Sequence, residues 1–304
     1  MKQIKEYLIS GENYFPNVQA SRTSKLPAGA YECAVTISGE AYFKPIQIVT
    51  DKIIDIPSNF TEEVIKEIDM FWSDGVSSKF EQYGLVHKRG ILLAGKPGTG
   101  KTITLAKAAK NVIEQYDGVV LFNPDVDNLK DFLRLIKEIE PNKKVLVMWE
   151  EFDSIINYSE STLLSLLDGE IQVGNIMYLA TTNYLTRIPA RIKNRPSRFA
   201  RVITVKEPNA EARRAFLQQK LHETDMHLLE TLVDSSKGFV IDQIKDLIIS
   251  VCCFGFDVSD AVRKIKEMNE DHNTGVDDYN EEQASSIFKT NNKNKLKNPL
   301  QPLR

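Results

Sequence analysis

A chain of 304 residues, 42 % apolar and 27 % charged, is long enough for two or three small domains around at least one large core, with the make-up of an ordinary globular protein. A net charge of −3 excludes a generally basic nucleic-acid coat, though it leaves room for a local basic patch. Three cysteines without paired spacing exclude a disulfide framework. The charged opening Met1-Lys-Gln-Ile-Lys-Glu6 and the shortness of the apolar stretch around 247–256 speak against an export leader and a membrane span. A soluble, cytoplasmic protein with no membrane partner is therefore expected. Adjacent Cys252 and Cys253 lie in an apolar, helix-like stretch, where burial of both is expected.

Residues 1–56 read as a small β-rich domain. Strand-like residues run through Ala28-Gly-Ala-Tyr-Glu-Cys-Ala-Val-Thr-Ile37 and Ala41-Tyr-Phe-Lys-Pro-Ile-Gln-Ile-Val49, with a Ser38-Gly39 turn between them, and Pro57 is expected to close the unit. A helix follows over 60–72, with Val64, Ile65, Ile68 and Phe71 or Trp72 on one face; Asn59 and Glu62 have capping-box spacing. From Lys88 the pattern alternates, and strands are predicted over 90–94, 118–122, 145–149, 176–181 and 202–205. Between the second and third lies a helix with Leu129, Phe132, Leu133, Ile136 and Ile139 on one stripe. Repeated β-α units of this kind imply an α/β fold, a parallel sheet covered by helices on both faces. Strand signals stop after Pro208, and helical segments run to about residue 270. Residues 271–304 are polar, with acidic (Asp277, Asp278, Glu281, Glu282) and then basic (Lys289, Lys293, Lys295, Lys297) clusters, and read as a flexible tail.

Gly95-Lys-Pro-Gly-Thr-Gly-Lys-Thr102 spells the phosphate-binding pattern G-x-x-x-x-G-K-[ST]. Gly95, Gly98 and Gly100 let the backbone turn tightly and aim N–H groups at the β- and γ-phosphates of a nucleoside triphosphate, with Lys96, Pro97 and Thr99 in the loop between them. Lys101 adds a mobile positive charge, and the Thr102 hydroxyl can ligate Mg²⁺. The helix opening at Lys101 contributes the partial positive charge of its N-terminus. A glycine-rich turn could match the pattern by chance. Here Arg89-Gly-Ile-Leu-Leu-Ala94 reads as a short buried strand and residues 103–112 as a helix with Leu105, Ala108 and Ala109 inward, so strand, loop and helix fall in the required order. ATP or GTP binding follows.

Val145-Leu-Val-Met-Trp-Glu-Glu-Phe-Asp153 is an apolar strand ending in carboxylates. Hydrolysis beside a P-loop needs one carboxylate to hold the water shell of Mg²⁺ and another to polarise the attacking water, both at the carboxyl edge of a neighbouring strand. Glu150 and Glu151 are placed for those roles; the alternative is a helix N-terminus enriched in acids.

The run His87-Lys-Arg-Gly-Ile-Leu-Leu-Ala-Gly-Lys-Pro-Gly-Thr-Gly-Lys-Thr102 is followed by Leu163-Leu-Ser-Leu-Leu-Asp-Gly169, Tyr178-Leu-Ala-Thr-Thr-Asn183 and Ile188-Pro-Ala-Arg-Ile-Lys-Asn-Arg-Pro-Ser-Arg-Phe-Ala200. Together these resemble the AAA family of ATPases over residues 60–250, nearly two thirds of the length. The Leu-Leu-x-x-Leu-Asp-Gly wording is that of the mitochondrial AAA proteins that help assemble respiratory complexes, although no counterpart of their membrane anchor is read here. The resemblance implies a five-stranded α/β nucleotide-binding domain over 57–207 and a helical lid over 208–270, preceded by the β-rich unit. It also implies Mg²⁺-dependent ATP hydrolysis by a homo-hexamer, with Asn183 as the sensor of the γ-phosphate or lytic water. Arg195 and Arg198 match the two arginine fingers that reach a neighbouring subunit's site.

Five departures stand out. Glu150 replaces the usual Asp, Lys96 replaces the first Pro of the loop, Ala200 replaces an Asp, and Gly238-Phe-Val-Ile-Asp242 only loosely matches the lid motif G-F-S-G-A-D. After the second predicted strand comes Asn123-Pro-Asp-Val-Asp-Asn128, where AAA unfoldases carry an aromatic-apolar-Gly triplet that grips a threaded polypeptide. Asn123 reads either as a restraint on Glu151 or as a turn residue before Pro124. The leading expectation is a remodelling ATPase whose protein partner is recognised by residues 1–56. A partner-dependent assembly factor with little threading and a nucleic-acid-directed motor or loader are the other readings, the last disfavoured by the charge and by the lack of a basic or base-stacking motif.

Overall fold

The computed structural model describes residues 6–17, 23–36, 39–48, 58–168, 173–195 and 197–275. The chain begins with β1 (Glu6–Ser10), β2 (Asn13–Asn17), β3 (Gly29–Val35) and β4 (Ala41–Ile46), followed by α1 (Asn59–Phe71) and α2 (Val76–Gln82). Then come β5 (Lys88–Ala94), α3 (Lys101–Tyr116), β6 (Val119–Phe122), α4 (Val126–Ile139), β7 (Val145–Trp149), α5 (Phe152–Asp168) and β8 (Ile176–Thr182). A short helix α6 (Ala190–Lys193) precedes β9 (Arg201–Thr204), and α7 (Ala210–Lys220), α8 (Leu229–Ser235), α9 (Ile241–Ile248) and α10 (Val258–Gly275) complete the described chain.

Each central strand alternates between two apolar layers, as the two-residue period of a pleated strand requires. Val145, Val147 and Trp149 of β7 pack with α4 and α5 on one face, while Leu146 and Met148 pack with α1 and α3 on the other. Leu92 of β5 joins the first layer and its neighbours Ile91 and Leu93 the second. The stripe of α4 fits this plan: Leu129, Phe132, Leu133 and Ile136 are buried, and Asp125 caps the helix by accepting from Asp127 N–H. For α1, Ser58 and not Asn59 is the cap. Its extended backbone lets the hydroxyl accept from Thr61 N–H, which leaves Asn59 as the first helical residue.

Among the described residues the sheet has nine strands, in the order β1-β2-β4-β3-β6-β7-β8-β5-β9. The five predicted strands run parallel in the order β6-β7-β8-β5-β9. The N-terminal hairpin of β3 and β4 is present, but it is joined to that sheet where a separate unit was expected. Gly29, Ala30 and Tyr31 of β3 pair in parallel with Val119, Val120 and Leu121 of β6. The physical reason is that β6 would otherwise end the sheet with a row of unpaired backbone groups. The side chains follow the backbone, since Tyr7, Tyr31 and Phe43 belong to the same apolar layer as α4, and Phe43 meets Phe132 edge-on at 5.3 Å. The β1–β2 hairpin around Gly11 was not anticipated.

After β9 the chain is helical, with its own apolar cluster drawn from α7 to α10, including Phe216, Leu232, Ile244 and Ile265. Arg213 is buried there and donates to the carbonyls of Val233 and Pro208. Helix α10 continues to Gly275, so the first residues of the expected tail are helical, while its charged clusters, like Pro57, lie outside the described residues. Cys253 is exposed and Cys252 half-buried, contrary to the expected burial of both. Residues Ile249–Cys253 wind as a wide π turn at the end of α9, which carries Cys253 round to solvent. No helix among the described residues is long and apolar enough to cross a membrane.

Because Phe43 sits in the layer shared with α4, Phe43→Ala should destabilise the whole sheet by ~3–5 kcal/mol and preserve one cooperative unfolding transition. Chemical denaturation followed by fluorescence and by far-ultraviolet dichroism checks this. A separate early transition above a native-like main one would show that the N-terminal strands fold independently.

Candidate active site

The carboxyl ends of β5, β7 and β8 open onto a cleft of about 880 Å³. Its floor is the loop between β5 and α3. Gly98 and Gly100 hold φ of 74° and 97°, a left-handed conformation that other residues adopt only with strain, and the loop's backbone turns there into α3. Lys101 folds back over this loop and donates to the carbonyls of Gly95 (2.6 Å) and Lys96 (2.7 Å). Burial lowers its pKa to about 8, and the nearby Asp153 carboxylate opposes that shift.

Pro97, Gly98, Gly100, Lys101 and Thr102 all line the cleft, opposite Glu150, Glu151 and Asn183. Gly95 and Lys96 contribute their carbonyls to Lys101, and Thr99 is turned inward, its hydroxyl donating to the Lys96 carbonyl at 2.8 Å. Glu150 and Glu151 follow β7 directly, and Glu151 has φ of 50°, a strained conformation of the kind that gathers at functional sites. Asn123, at φ 43°, also lines the cleft, and its side-chain oxygen accepts from Glu150 N–H at 2.8 Å. Its hydrogen bond thus orients the Glu150 backbone.

The two arginines lie outside the cleft and differ from one another. Arg198 is only 5 % exposed and makes a two-pronged ion pair with Asp168 at the end of α5, while also donating to the Arg191 carbonyl. This pair pulls the Asp168 carboxyl below its usual range. Arg195 stands 61 % exposed with Asp168 only at 4.0 Å. Of this pair, Arg195 is therefore presented outward and Arg198 is an anchor.

The helical part closes the cleft from the other side. Ile241 N–H donates to the Gly98 carbonyl at 3.0 Å, and Ile241, Asp242 and Lys245 line the cleft. Asp242 and Lys245 are ion-paired at 2.7 Å. A second pocket of about 380 Å³ adjoins the first, sharing Gly100, Ile103 and Ile241 and adding the apolar surfaces of Phe60 and Pro208.

Residue reading missed the parts played by Asp153, Thr182, Asp242 and Lys245. Asp153 looks like a helix-capping acid in the sequence, yet it is 8 % exposed and accepts from the Thr182 hydroxyl at 2.6 Å. The loose lid motif was the available signal for Asp242. For a hard cation such as Mg²⁺, Thr102 and Glu150 offer the oxygen donors it prefers, and both face the same cleft. A group of three or more His, Cys, Asp or Glu side chains able to hold a metal is absent among the described residues, so such a cation would keep water and substrate oxygens in its shell.

This arrangement is that of a P-loop nucleotide-binding protein. Residues 91–207 match the model of the "ATPase family associated with various cellular activities (AAA)". It is 29 % identical over 183 residues to the Cell division cycle protein 48 homolog of Archaeoglobus fulgidus, covering 53 % of this chain and 24 % of that one. It is 31 % identical over 179 residues to the proteasome-activating nucleotidase of Methanocella arvoryzae, covering 50 % and 40 %. With the human ATPase family AAA domain-containing protein 2 it shares 30 % over 195 residues, covering 55 % and 14 %. The chain thus spans less than half the length of each of these curated relatives.

The lowered pKa of Lys101 makes nucleotide affinity pH-dependent. Phosphate favours the charged ammonium, so binding is strongest below about pH 8 and weakens as pH rises through that value. Between pH 7 and pH 9 the Kd for ATP should rise by about tenfold, since the protonated fraction falls by that factor. Titration calorimetry measures it, with Lys101→Ala binding weakly throughout. A native Kd that stays level across this range would overturn the reading.

Proposed function

We propose that the chain is a Mg²⁺-dependent ATP hydrolase that works as a head-to-tail ring and uses hydrolysis to remodel or assemble a protein partner. The observation that carries this reading is the convergence of Lys101, Thr102, Glu150, Glu151 and Asn183 on one cleft between the sheet edge and α9. The division of labour we assign is a nucleotide-binding domain over 57–207 and a lid over 208–270.

The purine seats in the adjoining pocket against Phe60, Ile103 and Ile241, with the phosphates over Gly98 and Gly100. Lys101 then exchanges its two carbonyl acceptors for phosphate oxygens. Thr102 and Glu150 would hold Mg²⁺, which supplies charge neutralisation on the phosphates. Glu151 takes up proton density from the attacking water, and Asn183 donates to the γ-phosphate or aligns that water. The exposed Arg195 completes the site of a neighbouring subunit, whereas Arg198 holds the segment in place through Asp168. A heterologous contact of this kind closes into a ring, for which family resemblance suggests six subunits.

The partner is not gripped by an aromatic loop after β6. Only Asn123, Pro124 and Asp125 separate β6 from α4, and the Pro124 carbonyl accepts from Trp149 Nε1 at 3.1 Å. We assign partner recognition to the N-terminal strands, which precede the family-matched segment.

Glu151→Gln should bind ATP with native affinity and lose about 10²–10⁴-fold in turnover, because only the proton acceptor is removed. Arg195→Ala should keep ATP affinity and lose about 10³-fold or more. Arg198→Ala should instead lower the melting temperature, since it strips Asp168 of its partner. Mixing Arg195→Ala with Glu151→Gln should restore activity at mixed interfaces. Phosphate release with unfolded protein, single-stranded DNA and duplex DNA as stimulants tests the partner class. Stimulation by DNA alone, or activity per chain independent of concentration with a monomeric mass in ATP and Mg²⁺, contradicts the proposal.

A further inference from the structure

Three segments that face the cleft meet at one residue, Thr182, which ends β8 and is 1 % exposed. Its carbonyl accepts from Gly95 N–H at 3.2 Å, where the phosphate loop begins. Its hydroxyl donates to Asp153 Oδ1 at 2.6 Å, in the first turn of α5 behind Glu150 and Glu151. The same hydroxyl oxygen accepts from Tyr184 N–H at 3.0 Å.

These directions follow from the groups involved. An ionised carboxylate only accepts and a backbone N–H only donates, so the single hydroxyl proton goes to Asp153 and a lone pair goes to Tyr184. The hydroxyl therefore bridges from the residue before Asn183 to the amide after it, a local side-chain turn closed around Asn183. A bond to a charged acceptor is stronger than a neutral one, and burial keeps water from competing for it. Asp153 thus ties the turn that presents Asn183 to the segment that presents Glu151.

We propose that the buried Asp153–Thr182 pair is a positioning device that sets Asn183 against the phosphoryl group in register with Glu151. It rests on the reading of Asn183 given above. Thr182 and Asp153 touch neither nucleotide nor water in this scheme; they act through Asn183. Asp153 has a second influence in the same direction, since its charge favours the protonated form of Lys101.

The test compares Thr182→Val, Thr182→Ser, Asn183→Ala and the double variant Thr182→Val/Asn183→Ala in the full chain. Valine keeps the branched shape and removes the hydroxyl; it leaves Asp153 and Tyr184 N–H without that partner, so a lower melting temperature is expected and Thr182→Ser is the control for it. Each variant is measured for kcat, ATP Kd and melting temperature. Asn183→Ala should lose about 10²–10³-fold in kcat, as for a lost transition-state donor, with ATP Kd little changed. Thr182→Val should lose about 10²-fold in kcat, the scale of a misplaced catalytic group, also with ATP Kd little changed. Thr182→Ser should recover most of that loss. The double variant should be no slower than Asn183→Ala alone, because the hydroxyl acts only through the residue already removed.

Native turnover by Thr182→Val alongside an impaired Asn183→Ala would falsify the positioning role and leave the sensor reading intact. Losses that multiply in the double variant, or a Thr182→Val defect spread over Kd and melting temperature that serine does not repair, would also overturn it. Native turnover by Asn183→Ala would sink the sensor reading itself, and the inference with it.

Discussion

The parallel pairing of β5 with β8 and β9 is the constraint on which the site depends. Ala94 pairs with Thr182 on one side and Thr204 on the other, so the phosphate loop leaves the sheet level with the turn that carries Asn183. β7 is parallel to β8, and Glu150 and Glu151 leave from that same edge. Parallel strands place all their carboxyl ends on one side, and the helices that cover both faces keep them there. No loop has to reach far to form the cleft. A shift of β5 by one residue would exchange Ile91 and Leu93 with Leu92 between the two apolar layers, so the register of the site is protected by the packing of the core.

The two cations that line the cleft are held differently from Arg198. Lys101 is satisfied by two loop carbonyls, and Lys245 by Asp242 on its own helix. Neither cation is held by a carboxylate in a two-pronged pair. Arg198, by contrast, is held that way by Asp168. The distinction separates side chains free to turn toward an incoming anion from one that serves as a fixed post. It is also why two arginines three residues apart differ so much in exposure.

Much of this could be read in the residues. The stripe of α4 and the strands from β5 to β9 are encoded by local period, which needs no partner to be legible. The P-loop is legible because cradling phosphate demands a fixed spelling, and Glu150 and Glu151 because they end an apolar strand. What stayed hidden depends on distant pairing. That β3 would dock on β6 follows from the exposed edge of β6, which no stretch of β3 announces. Ser58 and Asn59 are both good caps, and only the backbone angle of Ser58 separates them. Asp153 reads as an ordinary first-turn acid until Thr182, 29 residues away, is found against it. The two arginines looked alike because burial by Asp168 is a tertiary fact.

The docking of β3 on β6 also makes the molecule a mechanical coupling. Tension applied to β3 is passed on in part through the in-register pairs of Gly29, Ala30 and Tyr31 with Val119, Val120 and Leu121. Load along parallel strands is shared by several backbone bonds at once and does not peel them singly. It passes into β6, whose carboxyl end is Phe122, next to Asn123 and its bond to Glu150. The N-terminal strands and the cleft thus stand at the two ends of the single short strand β6.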